Sequence, residues 1–434
     1  MSGDIIIAIG LIAGLFFLLM IGLEIAWSVG VIALVGLTFL VDQPVDQIAY
    51  AMWDSLDSFA LTAMPLFILM GSILGNTGVS DRLFNAIDKW VGHISGGLVI
   101  SVICGNAVFA AMSGSAMAAA ATFGKISFPP MKSRGYSPSF ALGSIAASSI
   151  LAPLIPPSIL LIIYGVWQGV SIVDLLAGGV VPGVMLTGLF VLTAYVSVKI
   201  RPGLAPSPAK YIWAERGQAF IDILPFAGFI FGVLGAIFGG FMTPTEAGAL
   251  GALLSILLTL LYRRLTFKIL QQSLLDTVRV TSFSLFIMAM ATLLSHVFNS
   301  AGLIPMLKDY ILGFEFSRYT ILVLFSVMYL IMGCFFDSWS MLFLTFPFVM
   351  PIIIGVGIDP IWWGVIYVII GEQSTITPPF GLVLFVMKSV VPEYPMGTVV
   401  KGALPYLIPI YINIILLTLF PQLVLWLPGI LSGN

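Results

Sequence analysis

Two pairs of prolines, Pro156 with Pro157 and Pro378 with Pro379, interrupt stretches that are otherwise apolar enough to lie in lipid. A proline inside a helix removes a backbone hydrogen bond and clashes with the preceding turn, at a cost of about 3 kcal/mol or more. Unwound backbone at membrane depth persists only where protein surrounds it or where it lines a cavity. A fold containing these stretches must wrap both breaks in other helices and give the freed carbonyl and N–H groups something to bind. The breaks are also copies of one another. Pro129 and Pro351, Gly135 and Gly357, Pro138 and Pro360, the two proline pairs, and Leu160 and Leu382 all stand 222 positions apart. A fixed offset of this kind marks an internal duplication.

Lipid is the solvent because 60% of the 434 residues are hydrophobic and 8% are charged, with a mean hydropathy of +1.13. The fold class is therefore an all-α polytopic membrane protein. A net charge of −2 offers no basic surface for nucleic acid, and two cysteines, Cys104 and Cys334, exclude a disulfide framework. The apolar run from Ile5 lacks a basic leader and a small-residue cleavage site, so it reads as a retained span. Runs of about 17 to 25 apolar residues are needed to cross. They predict ten crossings, at 5–21, 25–41, 60–76, 138–166, 175–198, 219–239, 244–262, 281–298, 361–390 and 403–427.

Regions 97–128 and 319–354 fit neither one span nor two. Each divides into short arms around a small or polar tip, "SGSA" at 113–116 and "DSWS" at 337–340, and reads as a re-entrant hairpin. With the N-terminus outside and the hairpins entering from opposite faces, all seventeen Lys and Arg except Lys308 and Arg318 fall on the cytoplasmic side. The acidic 42–57 loop, with Asp42, Asp46, Asp54 and Asp57, then lies on the periplasmic side, as do both termini. The two units start on opposite faces and form an inverted repeat, an architecture of many secondary transporters. The expected organisation is scaffold helices and an arm over 1–59 and a first transport half over 60–174, with hairpin 97–128 and broken helix 138–166. Scaffold helices and connectors follow over 175–280, then a second transport half over 281–400, with hairpin 319–354 and broken helix 361–390. A C-terminal scaffold helix occupies 401–434.

Two breaks paired with two polar tips present carbonyls, hydroxyls and half-helix ends around a site at the membrane midplane. Free carbonyls coordinate Na⁺, and free N–H groups at helix N-termini hold carboxylates. Asp337 and Glu372 are carboxylates at membrane depth, where an ionisable group is a functional candidate by default. Glu246 reads differently: in "TPTEAGALGA" Thr243 caps a helix, Pro244 suits its first position and Glu246 completes a capping box. No nucleophile elbow or paired-histidine motif supports an enzyme, and no phosphate-binding glycine loop supports ATP hydrolysis. Apart from Lys388, two residues from the end of 361–390, no Lys or Arg falls within a predicted span. Bound Na⁺ and half-helix N-termini are thus expected to balance an organic anion, with more than one Na⁺ per substrate.

Five segments carry a family resemblance: "AAMSGSA" at 110–116, "LIPPSILLIIYG" at 154–165, "TPTEAGALGA" at 243–252, "GIDPIWWGV" at 357–365 and "TPPFGLVLFV" at 377–386. In this order, over essentially the whole chain, they resemble the large membrane (M) subunit of tripartite ATP-independent periplasmic (TRAP) transporters. The resemblance implies a sodium-driven, ATP-independent importer of organic acids in the bacterial inner membrane, with an elevator motion of the hairpin and broken-helix domain. It also implies two partners, a periplasmic substrate-binding protein and a small four-helix membrane subunit, here expected as a separate chain. Carried over, one Na⁺ site draws on Ser113 and Ser115 and the backbone around Ser149, Ala152 and Pro153. A second draws on Asp337 and Ser338 with Gly371, Thr375 and Thr377. Substrate between them would meet Gly114, Ser148, Pro156, Pro157, Glu372, Gln373, Pro378 and Pro379. No cofactor is implied beyond Na⁺ as coupling ion. Many relatives have Ser where Ala116 stands, Asn-Met-Glu where Ile370, Gly371 and Glu372 stand, and Asn where Val383 stands. Dicarboxylate-type members carry those polar versions, so a sugar acid such as sialic acid stands beside a C4-dicarboxylate as substrate. A free-standing sodium/carboxylate symporter and a channel are the alternative readings.

Overall fold

The computed structural model describes residues 2–40, 45–208, 211–379 and 381–433. Among them every regular element is a helix, as lipid requires when each backbone N–H and C=O must be met internally. The chain opens with α1 (Ser2–Met20), α2 (Ile25–Leu40), α3 (Val45–Leu56), α4 (Ala63–Asn76) and α5 (Ser80–Val91). Hairpin 1 is α6 (Gly97–Ser113) and α7 (Ala116–Ser133), and the first broken helix is α8 (Pro138–Ser149) and α9 (Ile159–Gln168). Four long helices follow, α10 (Ile172–Ile200), α11 (Trp213–Phe238), α12 (Pro244–Leu261) and α13 (Phe267–Ser300). α14 (Leu303–Leu312) leads into hairpin 2, α15 (Arg318–Met332) and α16 (Ser338–Gly355). The second broken helix is α17 (Pro360–Ser374) and α18 (Leu382–Val390), and α19 (Met396–Ala403), α20 (Leu407–Leu419) and α21 (Gln422–Ser432) complete the chain.

Local chemistry sets the tips and breaks. Hairpin 1 turns on Gly114 at φ +61°, where a Cβ would stand 3.0 Å from Ile159 Cγ1 and 3.3 Å from Pro157 O, so glycine suits both the conformation and the space. Ser115 then caps α7, its hydroxyl accepting from Ala118 N at 3.4 Å. Hairpin 2 restarts on Asp337, whose Oδ2 accepts from Trp339 N at 3.1 Å and Ser340 N at 3.4 Å. Both proline pairs lie in the unwound segments, and both X–Pro bonds are cis. Ser158 caps the restart at α9, accepting from Leu161 N at 3.2 Å.

Three contacts fix the opposed orientation of the repeats. The outer ends of hairpin 1 meet where Leu98 N donates to the Tyr136 hydroxyl at 3.2 Å. The outer end of hairpin 2 is marked by Gly355 of α16 packing on Leu312 of α14, just ahead of α15, with Leu312 Cδ1 2.8 Å from the place of an added Cβ. The Tyr164 hydroxyl, on α9, donates to Pro360 O at 2.6 Å, so the far end of the first broken helix sits at the start of the second. The expected inverted repeat, with two re-entrant hairpins and two broken helices, is the observed fold. At the end where hairpin 1 enters, Lys132 pairs with Glu393 at 3.3 Å, and Asp88 of α5 collects Arg134 Nη1 at 3.3 Å, the Tyr211 hydroxyl at 2.5 Å and the Ser101 hydroxyl at 3.4 Å. This is the basic end of the molecule.

Four expectations need correction. The last crossing is not 403–427: a helical stretch runs over Met396–Leu419, because Gly402 packs directly on Gly143 and draws α19 against α8. α21 is a separate helix of 11 residues, about 16 Å long and too short to cross. The 42–57 loop contains α3, whose Met52 and Leu56, one turn apart, pack into the α2–α13 cluster; Asp42 lies outside the described residues, as does Lys210. The span at 281–298 begins at Phe267, capped by Thr266 Oγ1 accepting from Ile269 N at 3.3 Å. Among the described residues, seven helical stretches are long and apolar enough to cross singly, where ten crossings were expected. The broken helices cover that depth only as pairs of halves, and α16, a hairpin arm, counts among the seven.

Packing forms two groups. α10, α20 and α21 pack with the broken helices, and α10 also packs on α6. Trp362 Nε1 donates to Leu417 O at 2.9 Å there, and Asn413 Nδ2 to Pro182 O at 3.4 Å. In the other group α4 packs on α12 and α13, α11 on α12, and α2 and α3 on α13. The expected capping box of α12 is present, with Thr243 N donating to Glu246 Oε2 at 2.8 Å and Glu246 N to Thr243 Oγ1 at 3.3 Å.

Candidate functional site

Between the two groups lies a cavity of about 740 Å³, within the ~300–1,000 Å³ of small-molecule pockets. Both hairpin tips reach it, hairpin 1 with Ser113 and Ser115 and hairpin 2 with Asp337 and Trp339. α4 forms one wall and packs on the first tip: a Cβ on Gly71 would stand 2.6 Å from Ser113 O. α13, packed beside α4, adds Asp276, Arg279, Phe283 and Ser284 to the lining, and Lys125 of α7 stands at the mouth with Asn76 of α4. Asn76, Lys125 and Arg279 are exposed, whereas Ser113 is buried, so the cavity deepens from the basic end toward the tips.

The tips carry oxygen atoms that the protein leaves unspent. Ser113 Oγ is buried with no hydrogen-bond partner. Ser338 Oγ, buried on hairpin 2, lies beside Gly371 and interacts with the Glu372 carboxyl group. Among the described residues, no backbone N–H reaches the carbonyls of Ala152 and Pro157 in the first break, or those of Ile376 and Thr377 in the second. A buried polar atom without a partner is costly unless a ligand meets it. Hydroxyl and carbonyl oxygens around two breaks suit hard cations.

The expected site residues separate into a front and a back. Ser113, Ser115 and Asp337 line the cavity. Ser338 lies just behind Asp337, with the Tyr367 hydroxyl donating to its carbonyl. Ser148, Ser149, Ala152, Pro153, Pro156 and Pro157 are buried behind hairpin 1: Ser148 Oγ accepts from Asn106 Nδ2 at 2.7 Å, and Ser149 Oγ donates to Ala146 O at 2.7 Å. Gly371, Glu372, Gln373 and Thr375 are buried behind hairpin 2, where Gly333 packs on Ser374. Thr375 Oγ1 donates to Glu372 O at 2.6 Å and Thr377 Oγ1 to Gln373 O at 2.8 Å. Gly114, Thr377, Pro378 and Pro379 do not line the cavity either.

The sequence reading missed the α13 wall and its charges. Arg279 and Lys125 both line the cavity, although Arg279 lies just outside the predicted span 281–298 and Lys125 in the arm of the predicted hairpin 97–128. Neither is in an ion pair. The obvious partner of Arg279 is Asp276, three residues earlier on the same helix. Asp276 is instead held by others: Oδ1 accepts from Gln272 Nε2 at 2.7 Å, and Oδ2 from Asn76 Nδ2 at 3.2 Å and Ser72 Oγ at 3.4 Å. Asn76 also donates to Ser273 Oγ at 3.2 Å. These donors occupy the carboxylate and leave the guanidinium free to face an anion. The available signal was the spacing of Gln272, Asp276 and Arg279, at i, i+4 and i+7 on one helix face.

Opposed hairpins whose tips reach one cavity, backed by paired broken helices, are the architecture of a membrane carrier of the inverted-repeat class. The family model for the DctM component of tripartite ATP-independent periplasmic transporters matches residues 12–423. The chain belongs to this family, the large membrane subunits of TRAP transporters. Among its relatives is the sialic acid TRAP transporter large permease protein SiaM of Vibrio cholerae, 33% identical over 98% of this chain and 99% of that protein. The 2,3-diketo-L-gulonate large permease YiaN of Escherichia coli is 33% identical over 93% and 95%. The C4-dicarboxylate large permease DctM of Pseudomonas aeruginosa is 32% identical over 91% and 92%. The crystal structure of the Alcanivorax borkumensis YdaH transporter is similar with a TM-score of 0.58, covering 88% of this chain and 89% of that one; at 16% identity the likeness concerns the fold alone.

Proposed function

We propose that this chain is the transport subunit of a sodium-coupled, ATP-independent importer of organic acids in the bacterial inner membrane, fed by a periplasmic binding protein and paired with a separate small membrane subunit. The observation that carries the reading is the single cavity reached by both hairpin tips, with unspent Ser113 oxygen at its depth and free Arg279 and Lys125 on its walls. Na⁺ at Ser113, Ser115 and the first break, and at Asp337, Ser338 and the second, would supply part of the positive potential. The two side chains supply the rest. Substrate binding and sodium binding are then coupled, each favouring the other by the same factor.

The substrate class is a carboxylate-bearing acid of sugar-acid or C4-dicarboxylate type, because the relatives that match over nearly the whole chain are named for such acids. Transport by an elevator motion would move both hairpins and both broken helices; in place of the division expected from the sequence, the packing supports grouping α10, α20 and α21 with the moving part, against α2–α4 and α11–α13. The basic end faces the cytoplasm in this proposal, which makes the described conformation the one that releases substrate inward. The test is uptake into proteoliposomes holding this chain with its co-purifying membrane partner, in a sodium gradient. Sialic acid, succinate and 2,3-diketogulonate are offered with and without candidate periplasmic binding proteins. Saturable uptake that needs the binding protein is expected, and unsaturable flux without it would point to a channel.

A further inference from the structure

At the basic end, away from the cavity, a second pocket of about 280 Å³ opens between the start of α8, the end of α10 and the turn joining α19 to α20. Its polar lining is Ser139, Ser197, Arg201, Lys401 and Tyr406, with no carboxylate among the lining residues. Arg201 and Lys401 are both exposed, and neither makes an ion pair or side-chain hydrogen bond. Two like charges facing one pocket repel, so the site as built favours an anion.

Two independent features agree. α8 is a helix of 12 residues that starts uncapped: the Ser137 hydroxyl lies 3.3 Å from Ser139 Oγ instead of on a backbone N–H. Pro138 has no N–H, Ala141 N bonds to Ser137 O, and the N–H groups of Ser139 and Phe140 are left at the pocket without backbone partners. Such a terminus binds oxyanions through its dipole and free donors. The second feature is Tyr406, 1% exposed, whose hydroxyl is buried with no hydrogen-bond partner. Every polar side chain here can donate, and what is missing is an acceptor with several oxygens.

We infer that this pocket binds a phosphate group, and that its source is the headgroup of an anionic phospholipid. α10 crosses the membrane and ends at Ile200, so Arg201 and the pocket stand at headgroup level. Ile200 and Leu404 at the same place are 71% and 46% exposed and can carry the acyl chains. Basic pockets between helix ends on the cytoplasmic side are where such headgroups settle. The phosphate neutralises Arg201 against Lys401 and joins α10 to the tight crossing of α8 and α19 at Gly143 and Gly402.

The experiment uses the full chain in nanodiscs of phosphatidylcholine, with or without phosphatidylglycerol, and reads lipid retained by native mass spectrometry together with the melting temperature. We expect retained phosphatidylglycerol and a higher melting temperature with the anionic lipid. Arg201→Ala with Lys401→Ala should abolish both, Tyr406→Phe should weaken retention several-fold, and Arg201→Lys with Lys401→Arg, which keeps both charges, should restore it. Equal retention of phosphatidylglycerol by the native chain and a folded double-alanine variant would overturn the site. If millimolar inorganic phosphate alone reproduces the thermal shift in phosphatidylcholine, the lipid source is overturned. Uptake defects of cavity variants do not bear on either outcome, so this inference and the transport proposal fail separately.

Discussion

Replacing Arg279 by Gln removes a charge that the cavity keeps free. A hydrogen bond to a charged group contributes about 1.5–3 kcal/mol when buried. Arg279 is exposed at the mouth of the cavity, so its carboxylate contact belongs near the lower end, about 1–2 kcal/mol. At about 1.4 kcal/mol per factor of ten, substrate affinity should fall roughly 5- to 30-fold. The fold should not notice, because Asp276 keeps Gln272, Asn76 and Ser72 as donors and Arg279 has no protein partner to strand. Such surface changes stay within about 0.5 kcal/mol. Arg279→Lys retains the charge without the guanidinium fork and should fall between the two. The assay is calorimetric titration of the purified membrane protein in sodium buffer with sialic acid, succinate and 2,3-diketogulonate, using whichever binds the native chain. A native affinity in Arg279→Gln, alone and combined with Lys125→Gln, would refute the assignment of these cations to the substrate.

Ser113→Ala and Ser115→Ala barely change volume; Ser113 Oγ has no protein partner and Ser115 loses only its cap on Ala118 N, about 1 kcal/mol, so both should fold while their apparent Na⁺ affinity drops about five-fold, as loss of one ~1 kcal/mol contact implies; sodium dependence of uptake unchanged in both would assign the tip to packing alone. Gly114→Ala forces a side chain into a left-handed conformation costing about 1–2 kcal/mol and against Ile159, so the melting temperature should fall and uptake with it; a variant as stable as the native chain would show that the tip refolds freely. Asp88→Ala removes the acceptor shared by Arg134 and Tyr211, while Ser101 keeps Gly97 O at 2.8 Å, and thermal unfolding should come several degrees lower, whereas an unchanged transition would mean that this half-exposed cluster holds nothing.

The hairpins and breaks were legible because their signals are local. Pro156, Pro157, Pro378 and Pro379 cannot continue a membrane helix, and tips such as 113–116 cannot cross, so a single window of sequence reveals each. The 222-residue offset then supplied the duplication, and the Lys and Arg distribution its inversion. Arg279 was illegible for the opposite reason: Lys268, Asp276 and Arg279 resemble a cytoplasmic connector, and only the continuous 34-residue α13 turns the last two toward a cavity. The end of the chain was misplaced because apolar content is uniform from 396 to 432. What sets the real boundary is the contact of Gly402 with Gly143, a pairing across 259 positions that composition cannot register. The front and back of the site were likewise invisible. Spacing brings Ser149 and Glu372 near a tip, but only packing decides that they stand behind it.

Sodium coupling is the claim on which the rest depends, and one measurement addresses it directly. Proteoliposomes containing the chain, its membrane partner and a loaded binding protein are given an inward Na⁺ gradient or an equal K⁺ gradient, without nucleotide, and substrate accumulation is followed. Accumulation above the outside concentration with Na⁺, and none with K⁺, is the result this account requires. Equal accumulation under both gradients would contradict it.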